Sequence, residues 1–120
     1  MATPNLLALN TITGMTSATP NVATGGSVLI NQVTSNHAYR INSIIAANKT
    51  SSSATVTVVL NRGTVYQTIA YQLPVPGNTL VSIIGRDTPV YLMDTSSDIL
   101  SASAGTANAI DITVSYEDLS

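Results

Sequence analysis

Nucleophilic catalysis needs a base beside a hydroxyl or thiol, and this chain offers a single histidine, His37, and no cysteine. His37 closes the polar stretch Val33-Thr34-Ser35-Asn36-His37, and no Gly-x-Ser-x-Gly elbow occurs anywhere, so it reads as a solvated loop residue. Carboxylates for acid–base work would have to come from Asp87, Asp94, Asp98, Asp111, Glu117 and Asp118, of which Glu117-Asp118 reads more simply as a solubilising tail. Asp94 and Asp98 flank Thr95-Ser96-Ser97 and could offer oxygens to a hard cation, but the spacing fits no EF-hand loop. Asp and Ser also favour turns by bonding their own backbone, which makes a structural turn the better reading. Arg86-Asp87 could form a local ion pair, worth about 0–1 kcal/mol if exposed. Asn48-Lys49-Thr50 matches a glycosylation sequon, yet no charged n-region with an apolar h-region follows Met1 to direct export, so the match is discounted. The glycines Gly25-Gly26, Gly63, Gly77, Gly85 and Gly105 lie between apolar stretches, so no phosphate-cradling loop leads into a helix. The reading is of a chain that is not an enzyme, with no catalytic, cofactor or metal residues.

The elements that would have to position any site are strands. The 120 residues are 44% hydrophobic and only 8% charged, and Ser, Thr and Asn stand where charge is missing. Lys49 is the sole lysine beside Arg40, Arg62 and Arg86, so a free monomer has few ionic defences against edge-to-edge strand pairing. A net charge of -2 and a pI near 4.8, with four scattered cations, form no basic face for phosphates, and five Tyr without Trp or Phe give few stacking platforms. Nucleic acid is not an expected partner. No apolar run approaches the ~20 residues that span a bilayer, so no membrane partner is expected either.

The hydrophobic period is two almost throughout. In Ala54 to Leu60 the residues Ala54, Val56, Val58 and Leu60 share one face, and in the last stretch Ile110, Ile112, Val114 and Tyr116 alternate with Asp111, Thr113 and Ser115. Asn61-Arg62-Gly63 reads as a hairpin loop, returning through Thr64 to Leu73. Both faces of that return strand are partly apolar, which predicts cover on each side. Further strands are expected at Ser27 to Gln32, Ala38 to Ala47, Thr79 to Ile84, Pro89 to Met93, Asp98 to Ala102 and Ala109 to Tyr116, with Pro74-Val75-Pro76-Gly77-Asn78 as a stop. The spacing predicts a single antiparallel β-sandwich, jelly-roll or immunoglobulin-like, over residues 26–120, with negligible helix.

Residues 1–25 stand apart. Leu6, Leu7, Leu9 and Ile12 give one apolar burst before a linker-like run from Thr16 to Gly26. The burst is either the first strand of the sandwich, Leu7 to Thr16, or an arm that reaches a neighbouring subunit. Candidate partner contacts are Leu6, Leu7, Leu9 and Ile12, together with Tyr39, Arg40 and Arg86.

Three stretches carry a family resemblance: Met1-Ala2-Thr3-Pro4-Asn5-Leu6-Leu7-Ala8-Leu9, Tyr39-Arg40-Ile41-Asn42-Ser43-Ile44-Ile45-Ala46-Ala47-Asn48 and Ile112-Thr113-Val114-Ser115-Tyr116-Glu117-Asp118. With them the chain resembles small virion structural proteins of tailed bacteriophages, particularly contractile-tailed cyanophages. Members of that group tend to carry an acidic-glycine turn before the final hairpin, whereas this chain has Asp94-Thr95-Ser96-Ser97-Asp98 without glycine. The resemblance implies a β-sandwich present in many copies on the virion, made in the host cytoplasm, and brings no catalytic signature. The expected role is a capsid decoration (cement) protein bound to the major capsid protein, with a neck, tail, baseplate or fibre component as the alternative. A homo-oligomer, guessed as a trimer, would suit symmetric shell sites. A carbohydrate-binding module or small jelly-roll enzyme is the remote alternative, for which Tyr39, Tyr66, Tyr71, Tyr91 and Tyr116 could face sugar rings.

Overall fold

Alternating β-branched and small polar residues leave nowhere for a helical stripe, and the described residues fold into nine strands. The computed structural model describes residues 11–85, 87, 89–94 and 97–120. The strands are β1 (Ile12–Thr19), β2 (Ser27–Ile30), β3 (Ala38–Asn48), β4 (Ala54–Arg62), β5 (Val65–Val75), β6 (Leu80–Ile84), β7 (Val90–Met93), β8 (Ile99–Ala104) and β9 (Ile110–Leu119). All pairings are antiparallel.

One sheet has the order β1-β9-β3-β6 and the other β2-β8-β4-β5. β7 pairs with β3 at Ala38–Ile41, along the same edge on which β6 pairs at Ile44–Ala47. β6 and β7 are therefore two halves of one edge strand, parted around Gly85 and Pro89. Counted that way, the two four-strand orders are those of a jelly roll, in which each Greek key contributes strands to both layers.

The inward rows form one core between the layers. Val56 and Val58 from β4, Leu100 from β8, Ile41 and Ile44 from β3, and Ile110, Ile112 and Val114 from β9 are all essentially inaccessible to water. Fully burying side chains of this size contributes about 1.5–3 kcal/mol each. The alternation expected of β4, and of β9 as far as Val114, is the one that builds this core, whereas Tyr116, expected in the same row, is half-buried and lines the outer groove. β3 departs from that alternation, because register shifts beside Ile41 and Ile44 carry inward positions from Ile41 to Ile44 and then Ala46.

The expectation for β5 is overturned. It is an edge strand, not a strand covered on both faces, and Val65, Tyr66 and Tyr71 stand exposed along it. Two register shifts against β4, around Val56 to Val59, explain its mixed faces: the extra residues rotate side chains off the simple alternation. The preceding hairpin is tighter than expected. Arg62 pairs with Val65, leaving Gly63 and Thr64 as the turn, with Gly63 at φ 64°.

At the N-terminal side, Thr16 to Thr19 are not linker. They continue β1, which pairs with β9 from Ile12↔Leu119 to Thr19↔Ile112 without a break. Thr11 and Ser120 extend the ladder, each amide donating to the other's carbonyl at 3.0 Å. Asn21, Asn36, Asn78 and Asn108 occupy positive-φ positions in connections, a conformation Asn tolerates better than most side chains. The sandwich end carrying Asn78 is tied by backbone bonds from Asn48 to Thr79, from Asn78 to Thr50 and from Lys49 to Ala109.

Candidate functional site

An open groove of about 750 Å³ lies over the face of β1, β9 and β3. The ladder sets its lining. Gly14, Glu117 and Arg40 form one cross-strand row, and Thr16, Ser115 and Ser43 form another. Asn42 falls at the register shift between Ile41 and Ser43, beside the gap where β6 gives way to β7. Gly14 deepens the β1 side, since no atom lies within 4 Å of where its Cβ would be.

Inside the groove, Asn42 Nδ2 donates to Glu117 Oε1 at 3.3 Å, and Arg40 Nη1 lies 3.6 Å from the same oxygen. Both members of that ion pair are about a third exposed, so it contributes little to stability, about 0–1 kcal/mol. Arg40 Nε is buried and has no hydrogen-bond partner among the described residues. Tyr116 lines the groove and tilts against Tyr39, with ring centroids 5.1 Å apart. Burial, then the neighbouring Tyr39 and Asp118, push the Tyr116 hydroxyl above its ordinary value.

Beyond the groove, His37 Nδ1 and Asp118 Oδ1 are 2.6 Å apart, and both side chains are half-buried. His37 is thus not simply a solvated loop residue, and Glu117-Asp118 is not a free solubilising tail. β9 carries both acids into register with β3, where Arg40 and the His37 loop wait. A histidine oriented by a carboxylate is two-thirds of a catalytic triad, but among the described residues no hydroxyl is bonded to its other ring nitrogen.

The remaining acids are engaged structurally. Asp98 is fully buried, accepting from Arg62 Nε at 3.0 Å, Arg62 Nη2 at 2.9 Å and the Met93 amide at 2.9 Å. Those bonds, together with the Asp98 charge, raise the Arg62 guanidinium above its ordinary value against an opposing effect of burial. Asp94 accepts from the Asn36 amide through its carboxylate and from the Ser97 amide through its carbonyl. Among the described residues no group of three or more His, Asp or Glu side chains gathers as a metal site would require. The Asn21 amide and then Lys49 hold the Asp111 carboxyl below its ordinary value. Asn48, the sequon residue, is buried: its Nδ2 donates to the carbonyls of Ser52 and Val75, and its Oδ1 accepts from Thr50.

Of the predicted contact residues, the structure brings Tyr39 and Arg40 to the groove margin and floor, and places Ile12 at the start of β1 with 60% of its surface exposed. Leu6, Leu7, Leu9 and Arg86 lie outside the described residues. Sequence reasoning missed Asn42 and Ser115 and took Glu117 for part of a tail, since Glu117 and Asn42 meet across a ladder spanning 75 positions. A second, smaller groove of about 380 Å³ crosses the other sheet, where Val59, Asn61, Ser101 and Ser103 meet the exposed Tyr66. No protein-family model matches the chain, and no curated protein matches it.

Proposed function

We propose that this chain is a structural component of a tailed-bacteriophage particle, a decoration protein that binds the outside of the head shell. One observation carries the reading: the sandwich leaves large apolar side chains exposed on its strands, where few charges oppose contact. Val28, Val65, Tyr66, Tyr71 and Leu80 are each more than half exposed, and β5 carries no ionised residue along its 11 residues. A free protein rarely leaves apolar side chains of this size in the open with so little charge around them. Repeated contact with other protein makes such charge unnecessary.

The resemblance in Tyr39 to Asn48 and Ile112 to Asp118 supports the same reading, and both segments belong to the strands that frame the larger groove. A decoration protein acts by mass action, stabilising the assembled shell because it binds the shell and not its dissociated parts. Quantitative mass spectrometry of purified particles tests the proposal. The expected result is copies in the hundreds per particle. A count of about six or twelve, as in one ring, assigns the chain to neck or tail, and absence from the particle overturns both.

A further inference from the structure

A two-layer sandwich has four edges, and an open edge offers unpaired N–H and C=O groups to any strand that can reach it. Three of the four edges here are blunted. β2 is four residues long with a register shift between Val28 and Ile30. β5 is bulged twice and contains Pro74, and the β6/β7 edge is broken before Pro89. β1 alone is continuous: eight residues in unbroken register with β9, with no charge, no proline and no bulge. Among the described residues β9 is the only strand paired with it, and Ile12 to Thr16 are all exposed.

We infer that β1 is a self-association edge, on which two copies align antiparallel about a two-fold axis centred on Gly14. That register sets Ile12 opposite Thr16 and Thr13 opposite Met15, and brings the two glycines together at the axis. It matches the open stretch, since Ser17 beyond it is tied by its hydroxyl to the Leu29 carbonyl on β2. Gly14 has open space where a Cβ would stand, and strand glycines suit sites where another backbone approaches closely. No like charges meet, because β1 has none. The occupant is a second copy because isologous pairing uses each open edge once and leaves no other continuous edge free, so assembly closes at two. This is a dimer, in place of the trimer guessed from the sequence. The edge geometry that favours the dimer is independent of any role in a particle.

The test is sedimentation equilibrium of the purified chain over a concentration series reaching about 0.5 mM, because an edge this short buries less than a standard interface of about 1,600 Å². The mass should rise from 12.4 kDa towards twice that value, with the amides of Thr13 to Thr16 gaining protection from exchange in step. Gly14→Lys should fold, since its Cβ meets open space and Glu117 lies opposite in the same row. It should weaken dimerisation by about tenfold or more as two lysines face each other at the axis. Tyr66→Lys, on β5, should leave dimerisation unchanged. A monomer at every concentration, a limiting mass above two chains, or a dimer lost in Tyr66→Lys and kept in Gly14→Lys would each overturn the inference.

Discussion

At the scale of single residues, polar side chains in this fold act chiefly as ties. Asp98 is the clearest, a carboxylate without solvent contact whose partner Arg62 keeps 42% of its side chain in water. The two ends of that pair are unequal. Removing Arg62 strands a buried anion, whereas removing Asp98 leaves a cation free to hydrate. Arg62→Met is therefore expected to cost about 2–4 kcal/mol and Asp98→Ala less, as read by urea unfolding at neutral pH. Equal losses would refute the asymmetry. Asp111 gives a pH-dependent tie: its carboxyl is lowered in the folded chain, so its contribution is complete above the ordinary Asp value and fades as pH falls through the lower native one. The side chain is 40% exposed, which keeps the effect small. Asp111→Asn should lower stability slightly in the neutral region, where that contribution is complete, and change little at acid pH, so that the curve of stability against pH falls less steeply below about pH 4. None of these pairings was visible to local pattern. Asp98 reads as a turn residue and Asp118 as a tail, because their partners lie 36 and 81 positions away.

At the scale of elements, what the sequence made legible was periodicity, and what it hid was interruption. β4 and β9 were readable because Val56, Val58, Ile110, Ile112 and Val114 keep strict alternation and all are buried. β5 was misread because two extra residues against β4 mix its faces, and a bulge leaves no mark in an apolar count. Likewise Thr79 to Ile84 and Pro89 to Met93 read as two separate strands, although β6 and β7 follow one another along a single edge of β3. The groove exists near that gap, so its position could not be read either. The turn after β5 has a stricter requirement. A methyl at Gly77 would run into the Ser51 carbonyl, and the adjoining Asn78 amide donates to Thr50 at 2.8 Å. Gly77→Ala should cost about 1–3 kcal/mol, because backbone on both sides must shift to admit it. Gly85→Ala, with no atom near its Cβ position, serves as the control in the same thermal melts.

At the scale of the whole molecule, the jelly-roll order ties distant segments together, since β9 lies between β1 and β3 and the other sheet is threaded the same way. Sequence spacing anticipated the sandwich but not the order of its strands, because assignment to one sheet or the other depends on contacts that no short window contains. That order has a mechanical side. Thr11 and Ser120 sit side by side, joined by two backbone bonds at the corner where β1 begins and β9 ends. Tension applied between those two points would load the β1–β9 bonds one after another, as in opening a zipper, and not all together in shear. Pulling from Thr11 and Ser120 should therefore open the molecule at lower force than pulling from Thr11 and Ile110, at the far end of β9, which loads the same ladder together in shear, and the reverse ranking would rule this out.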